Sequence, residues 1–364
     1  MFIERLSLTN FRNYPEVAFE PAPEGVTLLR GGNGAGKTNV LEAVNYVATL
    51  RSFRGAPSAA LVRRGYEEAF LRAGAKRESR NMLVEIELRS AGRDRLKLNR
   101  RAVNRSEDII GAVLATVFSP DDIEIVKGSP QARRDFLDDL LSSLHPKHAA
   151  ARSELERVLK QRNALLRSAG GILRPGMAPT LDVWDAKLAA VGEEVAEARA
   201  GLVASLAAPA AAAYEILSHS GTGGGAPDIA VSYERSWDGP LLDALHRARN
   251  EELRRGVTAA GPQRDDFGLT LGGFAARTQA SQGEQRSFAL ALRLASHALV
   301  SSQQGTSPVL LLDDIFSELD PRRCEALASC LPPGQALVTT AGDVPSQLPV
   351  AAVFLAGGGT VRAA

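Results

Sequence analysis

The chain has 364 residues, 45% of them hydrophobic and 23% charged, with a net charge of +1, enough to bury a sizeable core and to make about two domains. No uninterrupted apolar run approaches the ~18 residues of a membrane span, and a first stretch carrying Glu4, Arg5 and Arg12 is no signal peptide. The two cysteines, Cys324 and Cys330, lack C-x-x-C spacing and a neighbouring His cluster, so the expectation is a cytoplasmic protein with plain thiols and no membrane attachment.

Taken in order, Phe2, Leu6 and Leu8 alternate with polar residues and are followed by Val17 and Phe19 after Asn13-Tyr14-Pro15, which predicts an antiparallel strand pair. Val26-Thr27-Leu28-Leu29 predicts a buried strand and Val40-Leu41-x-x-Val44-x-x-Val47 a helix. Between them lies Gly31-Gly32-Asn33-Gly34-Ala35-Gly36-Lys37-Thr38, which matches G-x-x-x-x-G-K-[ST] at every fixed position. Several backbone N–H groups must close around a polyphosphate at once, and glycines allow that approach. Lys37 then reaches the β- and γ-phosphates and Thr38 takes a place on Mg²⁺, with the helix N-terminus aimed at the anion. A plain glycine turn is the weaker explanation of a complete motif between strand and helix.

Further strands are predicted around Val84–Leu88 and Leu96–Leu98, so residues 1–118 form a β-rich lobe. Between Arg51 and Arg105 there are 15 Lys or Arg against 6 Asp or Glu, an excess of +9. This predicts a basic surface, or a face whose arginines are paired with carboxylates. Residues 119–255 change character. Ser129-Pro130 starts a helix, a second runs over 148–167, and Leu181, Trp184, Leu188, Val191, Val195, Ala198 and Leu202 repeat at 3,4 spacing, a heptad seam about three repeats long. That predicts a stubby antiparallel helical arm, or a helical lobe without an arm function. Residues 218–226 read as a flexible Ser/Gly loop, followed by a strand at 229–233 and a helix at 241–254.

Residues 256–364 return to α/β character. Ser281 and Glu284 are spaced as a capping box before an apolar-periodic helix. Val309 to Leu312 is a continuous apolar run ending in Asp313-Asp314, which suits a central parallel strand with its acids at the C-terminal edge. Asp313 supplies the second Mg²⁺ carboxylate that a phosphate loop needs, and Asp314 is placed to orient or deprotonate water. Since 275 residues separate Thr38 from Asp313, the helical segment splits one nucleotide-binding domain into two halves.

Ser281-Gln282-Gly283-Glu284 resembles the ABC signature and Ser317-Glu318-Leu319-Asp320 the D-loop. The closer resemblance is to the RecF family of the SMC-like branch. It is carried by Leu8 to Tyr14, Gly34 to Ala43, Arg51-Ser52-Phe53-Arg54, Phe118 to Asp122, Gly128-Ser129-Pro130 with Arg133-Arg134-x-Phe136-Leu137-Asp138, Gln161-Arg162-Asn163, and Gly261-Pro262-Gln263-Arg264-Asp265-Asp266. These segments span the chain in the family's order. The resemblance implies an α/β ABC-type ATPase head with an inserted helical lobe carrying a short antiparallel arm. It implies a slow ATPase with ATP and Mg²⁺ at the Walker motifs, Arg12 among the ATP contacts, and an ATP-dependent homodimer. In that dimer Ser281, in a lobe separate from Lys37, caps the partner's γ-phosphate. It further implies binding to duplex DNA and to gapped junctions, and cooperation with RecR and RecO to load RecA. Arg51, Arg54, Arg63, Arg64, Arg100, Arg101, Arg133 and Arg134 are the DNA-contact candidates. Two positions depart from related patterns: Thr340 stands where ABC transporters place a switch histidine, and Gln263 replaces the family's histidine. The competing classes are a transporter's motor subunit, a small-molecule kinase and a purely structural SMC-type protein. They fare worse, because the chain lacks a Q-loop glutamine, carries a signature motif and has no hinge.

Overall fold

The computed structural model describes residues 1–105, 108–173, 176–218 and 227–364, so the expected Ser/Gly loop lies almost entirely outside the described residues. The chain divides into two compact units, one of residues 1–123, 208–227 and 281–364, the other of 124–207 and 228–280.

The first unit holds two six-stranded sheets. One, in the order β2-β1-β4-β5-β6-β7, is made of Phe2–Phe11 (β1), Tyr14–Phe19 (β2), Glu68–Arg77 (β4), Arg80–Arg89 (β5), Arg95–Leu98 (β6) and Arg101–Val103 (β7). All of its pairings are antiparallel. Its strands alternate: Ala69, Leu71, Ala73 and Ala75 of β4 are buried while Phe70 and Arg72 face water, the pattern of a sheet with one solvated face. The other sheet, β15-β14-β3-β13-β12-β8, contains Gly25–Arg30 (β3), Ala115–Phe118 (β8), Val309–Asp313 (β12), Gln335–Thr340 (β13), Val350–Gly357 (β14) and Thr360–Ala363 (β15). It is parallel except for the closing β14–β15 hairpin. Strands β12 and β13 are buried at every position, as expected of a parallel sheet covered on both faces. Helix α1 (Lys37–Thr49) shares one core with both sheets: Val40, Leu41, Val44 and Val47 pack with Leu6, Leu8, Leu71, Ile86, Leu311 and Leu337. Gln335, almost fully buried, ties the sheets together by donating to the Ile3 and Ala22 carbonyls at 2.9 and 2.8 Å and accepting from the Ile3 amide at 2.8 Å.

The second unit is helical with a small sheet. Its helices are α2 (Ile123–Lys127), α3 (Pro130–Leu144), α4 (Pro146–Ala169), most of α5 (Met177–Ser218) and α6 (Leu241–Arg255). The expected helical hairpin is α4 with α5, and α6 packs on it: Leu155, Val158, Leu188, Val191, Val195, Leu241 and Leu245 form one cluster. Although α5 has the length and mean hydropathy of a membrane span, its heptad positions are core positions, and its apolarity is largely alanine. The last strands of this unit are Ile229–Glu234 (β9), Asp266–Leu271 (β10) and Phe274–Ala275 (β11), in the order β11-β10-β9. Residues 256–280 therefore fold with the helical unit and not with the ATPase half to which composition assigned them. The cause is pairing and packing: β10 adds to β9, and Phe267 stacks on Phe136 of α3 at 6.1 Å between centroids.

The chain then re-enters the first unit after α7 (Ala276–Gln279). There α8 (Gln282–Gln304), α9 (Ile315–Glu318) and α10 (Pro321–Cys330) complete it. The signature helix α8 and Lys37 thus belong to one compact unit, not to separate lobes as expected. The difference arises because α8 buries Phe288, Leu292 and Leu294 along the interior of that unit.

Candidate nucleotide site

Strand β3 delivers the phosphate loop and α1 begins at Lys37. Gly36 has φ 102° and lies against the turn between β1 and β2, where a Cβ would strike the Asn13 amide and the Tyr14 hydroxyl. Only glycine fits that backbone and that approach. The turn grips the loop: the Tyr14 hydroxyl donates to the Gly36 carbonyl at 3.0 Å, and Asn39 donates to Asn13 Oδ1 at 2.7 Å. Burial pushes the Tyr14 phenol up to about 12, so it stays a neutral donor. Asn13 and Tyr14 escaped the sequence analysis as site residues, although both lie in a segment that carries the family resemblance.

Lys37, nearly buried, donates to the Gly31 and Gly32 carbonyls at 2.9 and 3.2 Å and lies 3.9 Å from Asp314 Oδ2. The loop thus curls around its own ammonium, with Asn33, Gly34 and Ala35 at its tip. Thr38 Oγ1 donates to Asp313 Oδ1 at 2.8 Å. Parallel pairing in the order β3-β13-β12 brings these residues together across 275 positions. Burial raises the Asp313 pKa, opposed by the Thr339 and Thr38 hydroxyls. A hydroxyl and a buried carboxylate in contact are hard oxygen donors of the kind that fit Mg²⁺.

Arg12 is expected among the ATP contacts. Its guanidinium is turned to Glu42, with Nε and Nη2 at 2.8 and 2.7 Å, and to the Ala60 carbonyl at 3.1 Å. Glu42 is fully buried and also accepts from the Ser52 hydroxyl at 2.5 Å. A planar fork matches a carboxylate in that way, so Arg12 fastens the β1–β2 turn to α1 and to residue 60, while Ser52 ties the 51–54 loop to the same carboxylate. Arg54, expected to contact DNA, instead donates to Asn39 at 3.5 Å and is close enough to Asp313 to favour its charged form.

The signature turn is formed as expected. The Ser281 amide and hydroxyl donate to Glu284 Oε2 at 2.8 and 2.7 Å, and the Glu284 amide donates back to Ser281 Oγ at 3.4 Å. Gln282 is exposed, and a Cβ on Gly283 would meet the Arg323 guanidinium. Arg323 is held by Asp320 of the D-loop at 2.5 Å, and Arg286 of α8 joins the signature helix to the D-loop by donating to the Glu318 carbonyl and carboxylate, each at 2.7 Å. Ser317 closes its turn by donating to the Asp314 carbonyl at 2.6 Å. Ser119 to Asp122, where an ABC transporter's Q-loop glutamine would fall, is a capped turn, with Asp122 paired to Arg293 at 2.6 Å.

The basic candidates do not converge. Arg133 is buried in a bidentate pair with Asp266 at 2.7 and 2.8 Å, and Arg134 donates to the Asp265 carbonyl at 2.6 Å. Both are fastened inside the second unit. Arg51 and Arg64 are exposed, and Arg63 lies over the Tyr66 ring at 5.4 Å. Arg100 and Arg101 are exposed at the β6–β7 turn. Arg63 bonds Asn10 at the end of β1, whereas the β6–β7 turn lies beside Leu83, in register with Gly74 and Arg5. Five residues along β1 is about 17 Å, so the two pairs sit toward opposite ends of the sheet. Arg72, opposite Ser7 of β1, pairs with Glu85 midway between them, and Arg89 and Arg95 pair with Glu68 and Glu87 toward the Asn10 end. Gln263, at the family's histidine position, donates to the Ala260 carbonyl at 2.9 Å and leaves its Oε1 buried and unpartnered.

A parallel core sheet carrying a phosphate loop and a carboxylate-tipped strand, joined to an antiparallel lobe and a signature helix, defines an ABC-type ATPase head. The profile described as the RecF/RecN/SMC N terminal domain matches residues 2–342. The chain is 45% identical to the DNA replication and repair protein RecF of Streptomyces avermitilis, over 96% of each chain. It is 42% identical to that of Frankia alni over the whole of both. The solved structure of the recombination mediator protein RecF with ATP, from the RecFOR pathway, is similar at a TM-score of 0.91 and 27% identity, covering 100% of this chain and 97% of that one. An Smc head from Pyrococcus furiosus shares the fold at 17% identity and a TM-score of 0.55, covering 100% and 96%. The chain belongs to the RecF family of DNA replication and repair proteins.

Proposed function

We propose that this chain is an ATP-driven DNA clamp of recombinational repair, acting in the cytoplasm. ATP occupies the loop from Gly31 to Thr38, Lys37 meets its β- and γ-phosphates, and Thr38 with Asp313 holds Mg²⁺, which supplies charge neutralisation at the transferred phosphoryl group. Asp314 orients the water. The signature turn at Ser281 to Glu284, with Ser317 and Asp320 beside it, faces the γ-phosphate of a second copy, so ATP drives homodimerisation. The dimer binds duplex DNA near single-strand/double-strand junctions and works with RecO and RecR, the pathway of its solved relatives, to load RecA. Hydrolysis is slow, because Asp314 has a short side chain and the Thr340 hydroxyl is turned to Gly342 at 3.1 Å; the enzyme times release.

The observation that supports this reading is the 2.8 Å contact between Thr38 and Asp313, residues 275 positions apart in the chain. Lys37→Met removes the main cation facing the γ-phosphate while leaving the core untouched. Light scattering should show monomers at ATP concentrations that dimerise the parent protein; an unaltered ATP-dependent dimer would contradict the assignment.

A further inference from the structure

Strands β12 and β13 run parallel with Asp313 beside Thr339. Where the chain leaves β12, Asp314 turns to φ 48°, ψ 22°, a left-handed conformation that a non-glycine residue holds only when its surroundings enforce it. The turn takes the Asp314 amide out of the ladder, and the amide donates instead to the Thr339 hydroxyl at 2.9 Å. The same hydroxyl donates its own proton to Asp313 Oδ1 at 2.8 Å. A single fully buried oxygen therefore fixes the carboxylate of one acid and the backbone of the next. A hydroxyl can accept one bond and donate the other, which an aliphatic side chain of the same shape cannot do. The carboxylate so placed has Oδ2 at 3.9 Å from Lys37 and Oδ1 buried without a protein partner.

Thr340 does not share this arrangement. Successive residues of a strand point to opposite faces, and the Thr340 hydroxyl closes its own turn with the Gly342 amide and carbonyl. The polar group that serves the acids stands one residue before the position where a switch histidine was sought.

We propose that Thr339 is a positioning residue for ATP hydrolysis, which holds Asp314 in its left-handed turn so that the free carboxylate oxygen meets the attacking water. This rests on the ATPase reading above. Thr339 also bonds Asp313, but that carboxylate oxygen keeps the Thr38 hydroxyl when Thr339 is replaced, whereas the Asp314 amide loses its acceptor, so the loss should fall on turnover far more than on binding.

The test uses the full chain as Thr339→Val, Thr339→Ser, Asp314→Asn and the Val/Asn double variant. Steady-state hydrolysis is measured across ATP concentrations and binding with a fluorescent ATP analogue. Thr339→Val should lower kcat by about tenfold while KM and analogue affinity stay within about twofold, the mark of a group acting only at the chemical step. Thr339→Ser, which keeps the hydroxyl, should restore most of the rate. The double variant should be no slower than Asp314→Asn alone, because a group acting through Asp314 has nothing left to position. Amide hydrogen exchange at residue 314 should be protected in the parent and Ser variants and fast in the Val variant. Parental turnover in Thr339→Val, lost analogue binding, or an equal further loss in the Asp314→Asn background would each overturn the proposal. If the Val variant does not fold, Thr339→Ala removes the same acceptor and is read in the same way. A parent protein that binds the analogue yet hydrolyses nothing would remove the ATPase reading itself, an outcome distinct from a Val variant that matches an active parent.

Discussion

Arg162 is fully buried and bound on three sides: Asp185 at 2.7 Å, Glu252 at 2.6 Å and the Thr258 hydroxyl at 2.9 Å. Asn163 completes the knot by accepting from the Thr258 amide and hydroxyl. The sequence analysis placed Gln161-Arg162-Asn163 among the family segments and could assign it no work, since nothing in a helix pattern shows that one arginine will meet acids 23 and 90 positions away. Residues whose chemistry is local were readable: the phosphate loop, the Ser281 capping box and the acids closing an apolar strand each follow from neighbours in the chain. The carboxylate partners of Arg12 and Arg133 were hidden in the sequence for the same reason as those of Arg162, because an arginine's partner is set by the fold. Arg162→Met should destabilise the second unit by about 3 kcal/mol, since Glu252 is left buried without its guanidinium while Asp185 keeps Arg249 at 2.5 Å. Thermal melts of the variant check this, and an unchanged melting temperature would show that water replaces the guanidinium.

Helix α8 carries the signature turn at its start and His297 toward its end. The ring Nε2 lies 3.2 Å from the Ser307 hydroxyl, which donates onward to the Pro333 carbonyl at 2.9 Å, while Nδ1 is buried without a partner. Burial pushes the imidazole down to about 4, so the folded protein keeps it neutral. Unfolding returns it to the ordinary value near 6.5. The unfolded state therefore binds the extra proton first: stability from this group is complete above pH ~6.5 and falls as the pH drops toward 4, by at most about 3 kcal/mol. Denaturant unfolding of the parent and of His297→Asn between pH 7 and 4 should show a shallower acid loss in the variant, and parallel curves would exclude His297 as a cause. As an element α8 was evident from its apolar period and cap. Its membership in the unit that holds Lys37 was not, because periodicity tells which face of a helix is buried and leaves open what covers it.

Across the chain, the fold class followed from motif order, and the split of one ATPase head by a long insertion followed from the separation of its two cation-binding residues. The resting place of residues 256–280 did not follow, since β10 resembles a core strand until its partner β9 is known. The basic segment resolves into Arg72, Arg89 and Arg95 paired with glutamates on the antiparallel sheet and Arg64, Arg100 and Arg101 exposed toward its two ends. If duplex DNA lies along that sheet in the ATP-bound dimer, the logarithm of affinity should fall with the logarithm of salt by about 0.9 per phosphate contact. Arg64→Glu, and Arg100→Glu with Arg101→Glu, should each flatten that slope. Fluorescence anisotropy of a labelled duplex over a salt series, with and without ATP, measures it; a slope near zero that ignores ATP would remove this face from the DNA path.

The neighbours of β3 in its sheet are β13 and β14, strands translated after almost the whole chain has left the ribosome. At about 5–20 residues per second, the strand that carries the phosphate loop waits roughly 15–60 s for its first hydrogen-bonding partner. Throughout that interval Val26, Leu28 and Leu29 belong to a nascent chain with an open, aggregation-prone strand edge. The arrangement that brings Thr38 to Asp313 therefore lets the antiparallel sheet pair its strands early, while the parallel sheet that carries the phosphate loop cannot close until β13 and β14 arrive.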